Sequence, residues 1–83
     1  MSQIIRIRPK HIINGNHLPN SCPVALALKE QAGFITPVVT SGQIRDGKEQ
    51  YHVPRSVQRF VIAFDTKGRH EVDPFNFKLE KKS

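Results

Sequence analysis

The stretch CPVALALKEQAG at residues 22–33 decides how this chain folds. Pro23 suits the first turn of a helix, alanine and leucine favour helix, and Gly33 stands just past the end. The helix would be about three turns long. Residues 24–28 are apolar nearly all round, whereas residues 29–31 are polar and mark a solvent-facing end. We therefore predict that this helix is the central packing element.

Strand and turn patterns flank this helix. Before it, residues 4–8 predict a strand, in which Ile5 and Ile7 fall on one face and Ile4, Arg6 and Arg8 on the other. Pro9 then opens a short helical turn that Gly15 can terminate in a left-handed conformation, and a loop follows over residues 14–21. After the helix, residues 35–44 and 48–53 predict two strands joined by a hairpin at Asp46 and Gly47, with Pro37 on an edge strand and a bulge or bend at Gly42.

A second helix is predicted from Pro54 to about Asp65. Its apolar residues occupy positions i, i+3, i+4 and i+7, the spacing of an amphipathic helix: Val57, Phe60, Val61 and Phe64. A last strand, 75–79, alternates apolar and polar residues. We expect Phe60 and Phe64 to lie in the core against Ile5, Ile7, Phe75 and Phe77.

The resulting order β, α, β, β, α, β is typical of the ferredoxin-like α+β sandwich. We expect a four-stranded antiparallel sheet in the order four, one, three, two, with both helices on one face. The competing hypothesis is a rearranged α+β layout. Residues 1–83 are predicted to form a single domain whose tail frays from about residue 80.

Composition excludes several classes of protein. Thirteen Lys and Arg against seven Asp and Glu give a net charge of +6 in 83 residues. No apolar run reaches the roughly 18 residues that a membrane span needs, and the single cysteine, Cys22, has no disulfide partner in the chain. The four histidines lack the clustered spacing of a zinc site. We expect an intracellular protein without metal or cofactor.

Cys22 is the one candidate nucleophile. A thiol at a helix N-terminus can have a lowered pKa, and His17 or His11 is the nearest candidate base in sequence. A small apolar cysteine packed where loop meets helix is the competing interpretation, and we adopt it. Phosphate-binding loops, GxSxG and HExxH motifs are absent from the sequence, so the prediction is a protein that is not an enzyme.

The basic residues provide the predicted binding site. On the ferredoxin-like model, the sheet face opposite the helices would display Arg6, Arg8, Lys48, His52 and Lys78. RNA-recognition domains use this face, but with aromatic residues that stack on bases, and here Phe75 and Phe77 would point inward. A second basic patch could form from residues of the second helix and the first helical turn: Arg55, Arg59 and Lys10.

Three segments carry a resemblance to a known group: CPVALAL at 22–28, VPRSVQRFVIAFD at 53–65 and VDPFNFKL at 72–79. Together they resemble small proteins of unassigned function from tailed bacteriophages, in which a Cys-Pro-x-Ala-Leu-Ala helix precedes a C-terminal Val-x-Pro-Phe-x-Phe strand. The resemblance covers about residues 4–79. It implies a compact viral accessory protein and assigns no catalytic or binding residue.

These observations lead to a functional expectation. We expect a small phage-type protein that acts in the host cytoplasm by binding a host macromolecule, without catalysis and away from membranes. A host protein is the expected partner. The alternative is a nucleic-acid-binding module that uses the basic sheet face for phosphate contacts.

Overall fold

The computed structural model describes residues 3–82, and these residues form three α-helices, five strands and a 3₁₀ turn at Arg69–Glu71. In chain order the elements are β1 (Gln3–Ile7), α1 (Pro9–Asn14), α2 (Pro23–Ala32), β2 (Pro37–Thr40), β3 (Gln43–Asp46), β4 (Glu49–Tyr51), α3 (Arg55–Lys67) and β5 (Phe75–Leu79).

The strands form two antiparallel sheets. β1 pairs with β5, from Gln3 opposite Leu79 to Ile7 opposite Phe75. β2, β3 and β4 form a separate three-stranded sheet in that order. A single bridge, between Tyr51 and Lys81, connects the chain after β5 to β4. Residues 80–82, which we expected to fray, are thus held by backbone hydrogen bonds to residues 50–52.

The predicted ferredoxin-like sandwich is therefore wrong, although its pairing of the first and last strands is present. In that fold β1 would pair on both sides. Here its second edge is occupied by a side chain of α2: Gln31 accepts a hydrogen bond from the Arg6 N–H at 2.8 Å and donates one to the Arg6 carbonyl at 2.7 Å. This amide takes the place of a neighbouring strand.

A second difference lies in the segment 35–44, which we predicted to be one strand with a bulge or bend. It contains β2, a two-residue turn at Ser41 and Gly42, and the start of β3. The Thr40 hydroxyl accepts a hydrogen bond from the Gly42 N–H at 3.2 Å, which stabilises the turn. The predicted hairpin is also present, but its turn is shifted by one residue from Asp46 and Gly47. Asp46 pairs with Glu49, so the turn residues are Gly47, with φ of 61°, and Lys48.

Helix α2 is the central packing element, as predicted. Val24, Ala25, Ala27 and Leu28 have no exposed surface, and the helix packs against β1, α1 and β2. Seventeen buried residues form one cluster around it, which includes the predicted core residues Ile5, Ile7, Phe60, Phe64 and Phe77. The Phe60 and Phe75 ring centroids lie 4.9 Å apart, so α3 packs on β5 through aromatic contact.

The close approach of α1 to α2 depends on Gly15. We predicted a left-handed terminator there, but its φ of −76° is ordinary extended backbone. A Cβ atom at this position would lie 2.6 Å from the Pro23 Cδ. Gly15 is therefore required for the packing of the loop on α2, because any side chain would push the two apart.

We predict that Gln31→Ala lowers the free energy of unfolding by about 1–2 kcal/mol, because it removes both hydrogen bonds to the Arg6 backbone. Gln58→Ala, at an exposed position of α3, is the matched control and should change stability by less than about 0.5 kcal/mol. Urea titration measures both. Equal stability of the two variants would show that the Gln31 amide does not hold β1.

Candidate functional site

The two-stranded ribbon of β1 and β5 has one buried and one exposed side. Ile5, Ile7, Phe77 and Leu79 point into the core. The residues between them are exposed, with Ile4 opposite Lys78 and Arg6 opposite Asn76. Arg8 follows in extended backbone, with φ of −103° and ψ of 164°, and is also exposed. We call these exposed residues the basic face: Ile4, Arg6, Arg8, Asn76 and Lys78.

The structure brings together three of the five predicted binding residues, Arg6, Arg8 and Lys78, on this basic face. His52 follows β4, and its N–H donates to the Glu80 carbonyl at 2.8 Å, so it borders the ribbon beyond the end of β5. Lys48 lies in the turn between β3 and β4, in the other sheet. The two sheets therefore separate Lys48 from the predicted cluster.

The cations of the basic face have no carboxylate partner among residues 3–82. Over this range, Lys10 forms a salt bridge with Glu30 and Lys81 with Glu49, and the imidazoles of His11 and His17 contact Glu30 and Asp65. Glu80 is exposed two residues after Lys78 and lies at the edge of the basic face. Arg6 and Lys78 are diagonal neighbours on adjacent strands, so their charges add to one local positive field.

The residues of the predicted second basic patch lie on two helices, Lys10 on α1 and Arg55 and Arg59 on α3. The Lys10 ammonium lies 2.6 Å from a Glu30 carboxylate oxygen on α2. This hydrogen bond is the main reason that the pKa of Glu30 is lowered. Arg55 and Arg59 lie on the exposed side of α3. Arg59 also lines a shallow groove of about 330 Å³ whose floor includes Phe60 and Phe75.

A cavity of about 270 Å³ lies between the loop before α2, the β2–β3 hairpin and α3. Cys22, His17 and Asp65 all line it, together with the apolar side chains of Val39 and Val61. His17 Nδ1 is 3.4 Å from an Asp65 carboxylate oxygen. The cavity thus contains a thiol, an imidazole and a carboxylate, the residue types of a cysteine-hydrolase site.

The environment of Cys22 does not activate it. The residue is buried, with 5% of its surface exposed, and its Sγ accepts a hydrogen bond from the Ala25 N–H at 3.5 Å as the N-cap of α2. Burial raises the pKa of the thiol, and this effect outweighs the lowering by the hydrogen bonds at the start of the helix. Nucleophilic catalysis requires the thiolate, which this environment disfavours. Cys22 therefore packs in the core and caps α2.

Among residues 3–82, no three His, Cys, Asp or Glu side chains lie together in positions that would hold a metal ion. None of the helices described combines the length and the apolar character needed to cross a bilayer.

His11 is a buried polar residue whose environment fixes its tautomer. Its Nδ1 accepts a hydrogen bond from the Arg8 N–H at 2.9 Å, and its Nε2 lies 3.3 Å from Glu30. Because Nδ1 faces a donor, it carries no proton, and Nε2 donates to the carboxylate. The ring therefore joins the end of β1 to α2 and sets the position of Arg8 on the basic face.

Sequence reasoning missed two of these arrangements. The contact of Gln31 with Arg6 joins residues 25 apart, and nothing local in a polar helix end indicates it. The pairing of His17 with Asp65 spans 48 residues and depends on how the loop packs on α3. The spacing of Arg8 and His11, at the N-cap and third position of α1, is the one local signal that a capping interaction was available.

We predict that His11→Ala lowers the free energy of unfolding by about 1–3 kcal/mol, since the partly buried Arg8 N–H loses its acceptor. His11→Gln should lose less, because glutamine at the third helical position can accept from the N-cap N–H. Urea titration of both variants provides the comparison. Equal losses would mean that filling the space, and not the hydrogen bond, is what His11 contributes.

We predict that Cys22 reacts slowly with a thiol reagent in the folded protein, with a pH midpoint above the usual value of about 8.5. Burial raises its pKa, so the thiolate forms only at higher pH. The same protein in urea is the control and should label quickly. Fast labelling of folded protein with a midpoint below the usual value would identify Cys22 as an activated thiol.

Comparison of the chain with protein-family models, with curated proteins and with solved structures gave no match in any of the three cases.

Proposed function

We propose that this protein acts without catalysis, by binding the acidic surface of a host protein through the basic face. The observation that carries the proposal is the group of Arg6, Arg8 and Lys78, which share one exposed surface and form no salt bridge with residues 3–82. Three like charges held together do not stabilise a fold. They are suited to attract and orient an acidic partner.

The geometry of these side chains supports a role in recognition. Arg6 and Lys78 project from strands that are paired by backbone hydrogen bonds and backed by the buried Ile5 and Phe77. Side chains on such a rigid ribbon lose little backbone freedom on binding. Arginine also pairs with a carboxylate through two parallel hydrogen bonds, which adds geometric selectivity to charge attraction.

The resemblance to tailed-bacteriophage proteins motivates the biological setting of the proposal. A phage accessory protein in the host cytoplasm meets many acidic host proteins, and occupying one of their surfaces requires only complementary shape and charge. The comparisons add no family to this resemblance, so the phage origin, the host partner and the location remain predictions.

Nucleic acid is the second candidate, favoured by the same unpaired cations, which would neutralise phosphates. Base stacking requires exposed aromatic rings, and the aromatic residues of the ribbon are turned away from the basic face. Phe77 is buried, and the half-buried Phe75 contacts Phe60. The basic face thus offers phosphate contacts without stacking, and we rank an acidic protein first.

We predict that the double variant Arg6→Glu with Arg8→Glu weakens retention of a host protein from nuclease-treated lysate by at least about tenfold. The matched control is Arg55→Glu with Arg59→Glu, which changes the net charge of +6 by the same amount at exposed positions of α3. The control should retain most of the binding. Melting temperatures establish that both variants are folded.

Binding of a mixed-sequence oligonucleotide is measured in parallel over a range of salt concentrations. A steep salt dependence together with stronger binding than any protein partner would favour nucleic acid. If both double variants lose binding equally, overall charge and not the basic face drives the interaction. If the Arg6 and Arg8 variant binds all partners as well as the parent does, the proposed site is wrong.

A further inference from the structure

One edge of β5 has free backbone groups. In the β1–β5 ladder, the N–H and C=O of Arg6 bond Gln31, so Arg6 and Asn76 form a pair without mutual hydrogen bonds. The N–H and C=O of Asn76 therefore point outward from β5, and those of Lys78, two residues on, point the same way. None of these groups has a backbone hydrogen-bond partner among residues 3–82.

β4 covers the continuation of this edge after Lys78. The His52 N–H donates to the Glu80 carbonyl at 2.8 Å, so the end of β4 pairs with residues 80–82 in an antiparallel arrangement. The next position of this ladder would place Pro54 opposite Lys78. Pro54 has no N–H to donate and is the N-cap of α3, so the chain leaves the edge there. The free edge at Asn76 and Lys78 thus extends an existing ladder.

The other sheet edges are closed or interrupted. At β1, the Gln31 amide occupies the backbone groups of Arg6, which leaves Ile4 as an isolated outward residue. At β2, Pro37 has no N–H, and the Val39 N–H donates to a carbonyl of the loop before α2 at 2.9 Å. Strand addition needs a row of free backbone groups. Within the described chain, β5 is the strand that provides such a row.

The two faces beside the free edge differ in chemistry. On one face lie the cations of the basic face, Arg6 and Lys78. On the other, which α3 covers, lies the groove of about 330 Å³ with Phe60 and Phe75 in its floor. The groove lining also includes charged residues of both signs: Arg59, Glu71 and Asp73. A strand added to β5 would direct alternate side chains to these two faces. Alternating acidic and apolar residues would match them.

We propose that an extended acidic segment of the partner protein adds to β5 as an antiparallel strand, with carboxylates toward the basic face and apolar side chains toward the groove. This inference rests on the proposed function and specifies its partner. A second copy of this chain is the competing occupant. Two copies would each bring a net charge of +6 and a Lys78 to the new strand pair, and this repulsion favours an acidic segment.

The test uses three peptides of about eight residues in which Glu and Val alternate. In an antiparallel strand on β5, the residues opposite Asn76 and Lys78 direct their side chains to the basic face and their N–H groups to β5. In these peptides they are the Glu residues. The first peptide is unmodified, the second is N-methylated at each Glu, and the third at each Val, whose N–H points away. All three have the same charge, and fluorescence anisotropy measures their dissociation constants.

Protein variants test the same edge. Asn76→Pro removes the outward N–H without changing the charge, and proline is tolerated where the N–H of an edge strand faces solvent. Ile4→Pro is the matched control, because it removes an outward N–H on the other edge of the ribbon, at the residue opposite Lys78. Arg6→Glu with Lys78→Glu reverses the charges of the basic face. Melting temperatures establish folding, and the three peptides test the parent protein without any substitution.

We expect N-methylation of the Glu residues to weaken binding by at least about tenfold, because it removes the backbone donors to β5, and N-methylation of the Val residues to preserve binding. Asn76→Pro should weaken the unmodified peptide to a similar extent, and Ile4→Pro should not. The charge reversal should weaken all three peptides.

Equal binding of the two methylated peptides, with both weakened by the charge reversal, would overturn the strand inference and leave the proposed function standing. Absence of binding by the unmodified peptide, or a greater loss on methylation of the Val residues, would also overturn the inference. Self-association of the parent protein that Asn76→Pro abolishes would assign the edge to a second copy instead. Insensitivity of all three peptides to the charge reversal would reject the proposed function itself.

Discussion

The burial of α2 on nearly all its sides constrains the rest of the structure. Its five fully buried residues include Ala25 and Ala27, whose small side chains let neighbouring elements approach closely. β1, α1 and β2 all pack on this one helix. Because β1 and β2 contact α2 separately and Gln31 fills the free edge of β1, these strands belong to different sheets. The sheets meet only at the Tyr51–Lys81 bridge, among the residues described.

Local sequence patterns predicted the elements better than their arrangement. The apolar run of α2, the amphipathic spacing of α3 and the alternation in β5 each appear at the predicted place, because these signals depend on residues within one or two turns. A glycine in a β-rich segment is compatible with a bulge, a bend or a turn, so the pattern around Gly42 does not specify the turn at Ser41 and Gly42. The predicted order of the strands is wrong because that order depends on Gln31. The hydrogen bonds of this polar side chain to Arg6 have no local signature in the sequence.

The predicted binding residues also show that local sequence patterns do not determine how the strands are arranged. Arg6 and Lys78 come together because β1 and β5 pair, a feature that the wrong fold and the observed one share. Lys48 was assigned to the same face only through a continuous sheet, and the division into two sheets removes that connection. The cavity that contains Cys22, His17 and Asp65 could not be predicted, since it requires the loop, a hairpin and α3 in their final positions.

In Arg6, the backbone contributes to the fold and the side chain to the proposed binding site. Its backbone N–H and C=O are held by Gln31 and fix β1 against α2, while its side chain extends from the opposite, exposed side of the ribbon without a carboxylate partner among residues 3–82. Substitution of the side chain therefore changes the surface charge without breaking the contact that organises the sheets. The same holds for Lys78, whose exposed position alternates with the buried Phe77 and Leu79. The exposed side chains of the basic face can therefore change to match a partner, while the packing of the neighbouring elements on α2 is unchanged.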